Sequence, residues 1–327
     1  MTQRNEKPPA ASNETAKQVR PVPAPTIEVS GVSKWYGDVV ALSDVSFNVE
    51  PGVTALLGPN GAGKSTLFRM LAGLTKPSMG SVRVLGRPVR GDTSLYRHLA
   101  LVPEGENLYP FLTGREFVRL NAFLQGLPDA DNVTRRVLTT TGLLDDADRA
   151  IGGYSKGMRQ RIKIAAALAH DPDVLILDEP LNGTDPYQRV QLIELIRDLG
   201  TAGRTVIVSS HILREVERFA DRILVIVNGK LAAAGDFHAI REKLDEHAHN
   251  VRLRTNDPRQ LAAALVRLPA LRGIRLAGED VVVVETDDVR ELYGSISGIA
   301  RAEGLRLYEV AALDDSLASV VAYITER

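Results

Sequence analysis

The densest chemistry in this chain lies in Gly58-Pro59-Asn60-Gly61-Ala62-Gly63-Lys64-Ser65-Thr66. The spacing fits G-x-x-x-x-G-K-[ST], in which glycines free the backbone to form a nest of N–H groups around one phosphate. Lys64 would place a point charge on the β- and γ-phosphates, and the Ser65 hydroxyl would ligate Mg²⁺. The flanks are those the pattern requires. Val53-Thr54-Ala55-Leu56-Leu57 reads as a buried parallel strand, and Thr66-Leu67-Phe68-Arg69-Met70-Leu71 opens a helical pattern. A helix start adds the positive end of its dipole to an anion site.

A second group sits far downstream. Asp173-Val174-Leu175-Ile176-Leu177-Asp178-Glu179 is an apolar strand that ends in two carboxylates. Asp178 is placed to hold Mg²⁺ through water. Glu179 is placed to face a γ-phosphate and polarise the attacking water. A nucleotide phosphate and Mg²⁺ are the ligands these two groups imply together.

The elements that must position these residues alternate in type. Strands at 27–32 and 40–49 precede the loop strand, and a small pair follows it at 80–85 and 86–89. From 93 to about 170 the pattern is mostly helical, with Val118, Leu120, Phe123 and Leu124 at helical spacing and a short strand at 98–102. Helix 185–199, strand 205–209, helix 213–219 and strand 222–227 come next, with a hairpin turn at Asn228-Gly229. Strands alternating with helices predict a parallel sheet with its ligands at the carboxyl ends of the strands. Past a polar linker helix at 236–248, the order β-α-β-β-α-β over 249–327 predicts a ferredoxin-like domain, its last helix at 316–325. The fold class is therefore α/β. It has a P-loop NTPase core, an antiparallel β edge, a helical subdomain and a small C-terminal α+β domain.

Composition narrows the partners. The chain has 327 residues, 44% hydrophobic and 25% charged, with a net charge of −1, so no bulk nucleic-acid partner is expected. With no cysteine, disulfides, thiolate metal sites and a Cys nucleophile are excluded. Residues 1–26 are rich in Pro, Ala, Gln, Asn and Lys and predict a disordered tail. No apolar run approaches a membrane span, so a soluble cytoplasmic protein is expected, and any spans would come from another chain.

Several motifs in one order make the chain resemble the ATP-binding subunit of an ABC transporter, of the exporter type, over about residues 26–235. Residues 58–66 match its Walker A motif. Tyr154-Ser155-Lys156-Gly157-Met158-Arg159-Gln160-Arg161 resembles its signature. Asp178-Glu179-Pro180 resembles the end of Walker B, Leu181-Asn182-Gly183-Thr184-Asp185-Pro186 the D-loop, and Ser209-Ser210-His211 the switch histidine.

The resemblance implies an ATPase with Glu179, His211 and Lys64 as its catalytic residues. It implies metal contacts from Ser65, Glu104 and Asp178, and places Asp185 in the nucleotide site. Tyr36 would stack on adenine. Ser155, Lys156, Gly157 and Met158 open a helix toward the γ-phosphate bound on an opposite subunit, so a working site needs a dimer, here a homodimer. The chain departs from the family at Glu104, where a glutamine is usual, and at Lys156 and Met158 in the signature. Tyr109-Pro110-Phe111-Leu112-Thr113 lies where the family docks a separate integral membrane permease. A cytoplasmic protein held on the inner face of the cell membrane is implied. An importer subunit, or a soluble ATPase acting on ribosomes or nucleic acid, is the alternative. The histidines at 98, 170, 238, 247 and 249 show no metal-ligand spacing.

Overall fold

The computed structural model describes residues 25–105, 108–236 and 249–312. Nearly all of the expected 1–26 tail and 236–248 linker, and the expected helix at 316–325, lie outside them.

Six strands form the central sheet: β3 (Gly52–Leu57), β6 (Leu99–Val102), β7 (Val174–Leu177), β8 (Thr205–Ser210), β9 (Arg222–Val227) and β10 (Lys230–Asp236). Their order is β10-β9-β3-β8-β7-β6. All neighbours are parallel except β9 and β10, which turn through Asn228 (φ 48) and Gly229 (φ 75). Both positive φ values suit the hairpin turn that Asn-Gly favours. Side chains alternate between two cores along each strand. Val53, Ala55 and Leu57 face one core with Leu175, Leu177, Val206 and Val208. Leu56, Ile176, Ile207 and Leu224 face the other. Burial on both sides explains the unbroken apolar runs in the sequence.

The strands expected as an antiparallel edge form a sheet of their own. β1 (Ile27–Tyr36), β2 (Val39–Val49), β4 (Met79–Val84) and β5 (Arg87–Pro88) run in the order β2-β1-β4-β5. Ile27, Val29, Val45 and Val84 of this sheet share the second core with helix α1 (Lys64–Leu71). That helix stops at Leu71. Gly73 (φ 70) donates to the Met70 carbonyl at 3.0 Å and Leu74 to that of Arg69 at 2.8 Å, the paired bonds of a Schellman stop.

The helical layer consists of α2 (Gly114–Leu124), α3 (Ala130–Thr140) and α4 (Lys156–Ala167). The short strand expected at 98–102 within the mostly helical range 93–170 is β6, at the edge of the main sheet. Thr113 and Glu116 close a reciprocal capping box on α2. The apolar face anticipated there differs from the one used. Phe117, Val118 and Ala122 are buried, whereas Phe123 and Leu124 are 74% and 73% exposed. Helix α5 (Pro186–Thr201) begins with proline in its first turn, capped by Asp185, and a short α6 (Leu213–Val216) follows β8.

The C-terminal unit runs β11 (His249–Thr255), α7 (Pro258–Leu265), β12 (Leu271–Leu276), β13 (Val281–Thr286), α8 (Val289–Ala302) and β14 (Leu307–Ala312). Its sheet order, β12-β13-β11-β14 with every pair antiparallel, is the split β-α-β arrangement. Val251, Leu253, Leu261, Val284 and Ile296 belong to a core of its own.

One glycine tests the β1–β4 pairing. A Cβ on Gly80 would sit 2.3 Å from the Gly31 carbonyl oxygen and 2.4 Å from that of Ser30, whereas one on Gly86 would meet nothing within 4 Å. Both positions have positive φ. Gly86→Ala is expected to cost about 1 kcal/mol, and Gly80→Ala at least about 2 kcal/mol, in urea unfolding, because backbone has to move only in the second case.

Candidate functional site

The parallel register sets the site. Leu57 pairs with Ser210, Leu177 with Val208, and Val102 with Leu177. The loop 58–66, Glu104, the pair Asp178-Glu179 and His211 therefore leave neighbouring strands at the same end of the sheet, as sheets of this kind place their ligands.

Gly58 and Gly63 make the loop possible. A Cβ on Gly58 would lie 2.5 Å from the Ile226 carbonyl oxygen, and one on Gly63 (φ 105) 2.6 Å from that of Ala41. Gly63 caps α1 in a left-handed conformation. Pro59, Asn60 and Gly61 are exposed, Ala62 is buried, and Ser65 and Thr66 are half-buried. Lys64 is only 6% exposed. Its Nζ donates to the Gly58 carbonyl at 2.7 Å and the Pro59 carbonyl at 3.2 Å, and faces Glu179 Oε1 at 3.2 Å. The ammonium thus lies across the concave side of its own loop. Glu179 Oε1 receives that charge without a directed hydrogen bond, which leaves it the free acceptor of the site.

Asp178 and Glu179 are each 6% exposed. Ser209, buried at the end of β8, connects them. Its Oγ donates to Asp178 Oδ1 at 2.7 Å and accepts from the Glu179 backbone N–H at 2.7 Å. Glu179 needs that support, because its φ is 48, a left-handed conformation that costs a non-glycine residue on the order of 1 kcal/mol or more. His211 Nδ1 lies 3.0 Å from Glu179 Oε2, so Glu179 stands between Lys64 and His211. Beneath them Arg189 pairs with Glu215 at 2.9 Å, and burial pushes the Glu215 carboxyl above its ordinary range.

The signature residues stand apart from this group. Ser155 caps α4, its Oγ accepting from the Met158 backbone at 3.2 Å. Gln188 of α5 also donates to that Oγ, at 2.9 Å. Gln188 packs against position 157, where a Cβ would lie 1.6 Å from its Oε1, so any larger residue there requires Gln188 to move. The Lys156 ammonium crosses Gly183, at 2.3 Å from where a Cβ would stand. Asp185 accepts from the Gln188 backbone at 3.0 Å, a contact within its own helix turn. The polar contacts of Ser155 run to α5 and not to 58–66.

Glu104 is exposed, and its Oε1 accepts from Asn182 at 3.3 Å, so it touches the D-loop rather than Ser65 or Asp178. Tyr36 is 48% exposed beside Trp35 at 42%, and the Lys34 ammonium lies over its ring at 4.7 Å. Tyr109 and Phe111 are exposed, their ring centroids 5.9 Å apart.

Mg²⁺ suits these donors. Ser65 and Asp178 offer hard oxygens, and no cluster of three or more His, Asp or Glu forms a metal cage among the described residues. A metal bound mainly through phosphates and water, with one or two protein oxygens, requires no cage. Ser209 and Gln188 escaped the sequence reading as site residues. The available signal was Ser209 itself, a polar residue ending an otherwise apolar buried strand.

Comparisons with known proteins identify the family. The family model described as ABC transporter matches residues 42–182. The chain is 35% identical over 289 residues to Nod factor export ATP-binding protein I of Rhizobium sp. (strain N33), covering 86% of this chain and 92% of that protein. It is 37% identical over 270 residues to the protein of that name from Rhizobium meliloti (strain 1021), covering 81% of this chain and 79% of the relative. The chain belongs to the ABC transporter family. It is an ATP-hydrolysing, ATP-binding subunit of that family. A solved ATP-binding subunit of an ABC transporter superposes with a TM-score of 0.60 at 33% identity, over 67% of this chain and 93% of that one. A nucleotide-free ATP-binding cassette, 24% identical, shares the fold with a TM-score of 0.61. Among the described residues of this ABC subunit, no helix is long and apolar enough to cross a membrane.

Ser209→Ala would leave Asp178 and the Glu179 N–H without their shared partner. The expected loss is about 1–3 kcal/mol of stability by denaturant unfolding. Ser209→Thr, which keeps the hydroxyl, is expected to lose less.

Proposed function

We propose that this chain is the motor of an exporter whose pathway is built by a separate integral membrane permease. The observation that carries this reading is the Lys64–Glu179–His211 constellation at the ends of the parallel strands. The export direction is supported by relatives named as export ATP-binding proteins. The substrate would be selected by the permease.

In this reading the loop 58–66 binds the triphosphate of ATP, and Tyr36 stacks on its base. Lys64 gives up Glu179 and the Gly58 carbonyl to meet phosphate oxygens. Ser65 and Asp178 would hold Mg²⁺, and Glu104 would act on it through water. Mg²⁺ supplies charge that offsets the phosphates. Glu179, freed of Lys64, accepts a proton from the attacking water, and His211 orients its other oxygen. Ser155, Lys156, Gly157 and Met158 of a second copy close the site over the γ-phosphate, with Asp185 anchoring the neighbouring loop. Two copies thus form two composite sites. Gln188 has to turn from Ser155 before an anion can take its place.

Exposed Tyr109 and Phe111 offer the apolar surface to which the permease would dock, and the subunit would then lie on the inner face of the membrane. A ribosome- or nucleic-acid-bound ATPase is disfavoured by the net charge of −1.

Glu179→Gln keeps the shape and removes the base. ATP affinity should be retained and the hydrolysis rate should fall about 10²- to 10⁴-fold. Size-exclusion chromatography with ATP should show a stable dimer for that variant. Hydrolysis near the rate of the unaltered protein would overturn the assignment of Glu179.

A further inference from the structure

Lys163 is a buried cation inside the apolar segment Ile162-Lys163-Ile164 of α4, and it is only 7% exposed. An ammonium taken out of water costs several kcal/mol unless its donors are satisfied. Here Nζ meets three successive carbonyl oxygens, Pro103 at 2.8 Å, Glu104 at 3.4 Å and Gly105 at 3.2 Å. Three carbonyls in a row aim at one point only if the chain wraps around that point. The chain leaving β6 is therefore curled about a charge carried by another element. With its carbonyl turned inward, Glu104 projects its carboxylate outward, where it meets Asn182 at 3.3 Å.

We propose that Lys163 is a positioning residue for Glu104. Its ammonium fixes the main chain of 103–105, and so fixes where the Glu104 carboxylate stands. The inference rests on the reading that Glu104 reaches the water shell of the metal. It adds a physical connection that the motifs do not show. Lys163 lies on the helix that Ser155 caps, about two turns from Ser155. Any displacement of α4 against the sheet pulls on the 103–105 carbonyls, and the carboxylate moves with them. The half-site that faces the opposite subunit and the metal-side carboxylate of its own chain are joined through one ammonium.

The test uses the full chain with a non-hydrolysable ATP analogue and Mn²⁺ in place of Mg²⁺. Mn²⁺ affinity is read by electron paramagnetic resonance for the unaltered protein, Lys163→Met, Glu104→Ala and the double variant. Amide exchange at Glu104 and Gly105 is followed in parallel. Lys163→Met is expected to weaken Mn²⁺ binding about 10-fold, the scale of an outer-shell partner. It should add nothing once Glu104 is alanine, and it should speed amide exchange at Glu104 and Gly105. Equal losses in both backgrounds, or no loss in either, would overturn the proposal. If Glu104→Ala alone leaves Mn²⁺ affinity unchanged, the metal reading of Glu104 fails. Amide exchange then decides the anchoring by itself, and unchanged protection in Lys163→Met overturns it. Should Lys163→Met not fold, Lys163→Gln, which keeps two donors, carries the same comparison.

Discussion

The constraint on which the rest depends is the parallel register of β3, β8, β7 and β6. Their carboxyl ends lie level, Leu57 beside Ser210 and Leu177 beside both Val208 and Val102. A hydrogen-bonded sheet holds this alignment with little freedom, because a one-residue slip would turn each strand's apolar side chains to the wrong core. Residues more than a hundred positions apart in the chain thereby meet within a few ångströms. Lys64 reaches Glu179, Ser209 joins Asp178 to the Glu179 backbone, and His211 completes the row.

The row is also where strain is held. Glu179 takes a left-handed backbone that a non-glycine residue avoids. Ser209 accepts its N–H, and Asn182 donates to its carbonyl at 3.2 Å. The side chain stands between the Lys64 ammonium at 3.2 Å and the His211 ring at 3.0 Å. That arrangement fixes the carboxylate without committing Oε1 to a directed bond.

Much of this was legible in the sequence, because it is local. The glycine spacing of 58–66, the carboxylates closing an apolar strand and the Asn-Gly turn each carry their own backbone requirement. The α/β class and the split β-α-β order of the last unit followed from element periodicity. What was not legible depends on sheet order or on burial. Ser209 matters because β8 adjoins β7, which spacing does not state. Lys163 looks like an ordinary helix lysine until three carbonyls surround it. Phe123 and Leu124 have core-like spacing yet face outward, while Phe117 and Val118 share the core with Ile162 and Ala165 of α4. The stop of α1 was readable in Gly73.

In the proposed function an ATP site is assembled from 58–66 of one copy and Ser155–Gly157 of another. Mixing tests it most directly. Lys64→Ala subunits lack the first half, and Gly157→Asp subunits put a like charge in the second. Each alone should hydrolyse almost no ATP. Mixed dimers contain one intact composite site, so the mixture should recover a substantial fraction of the rate of the unaltered protein. Two inactive preparations that stay inactive when mixed, with dimers demonstrably exchanging, would contradict the account.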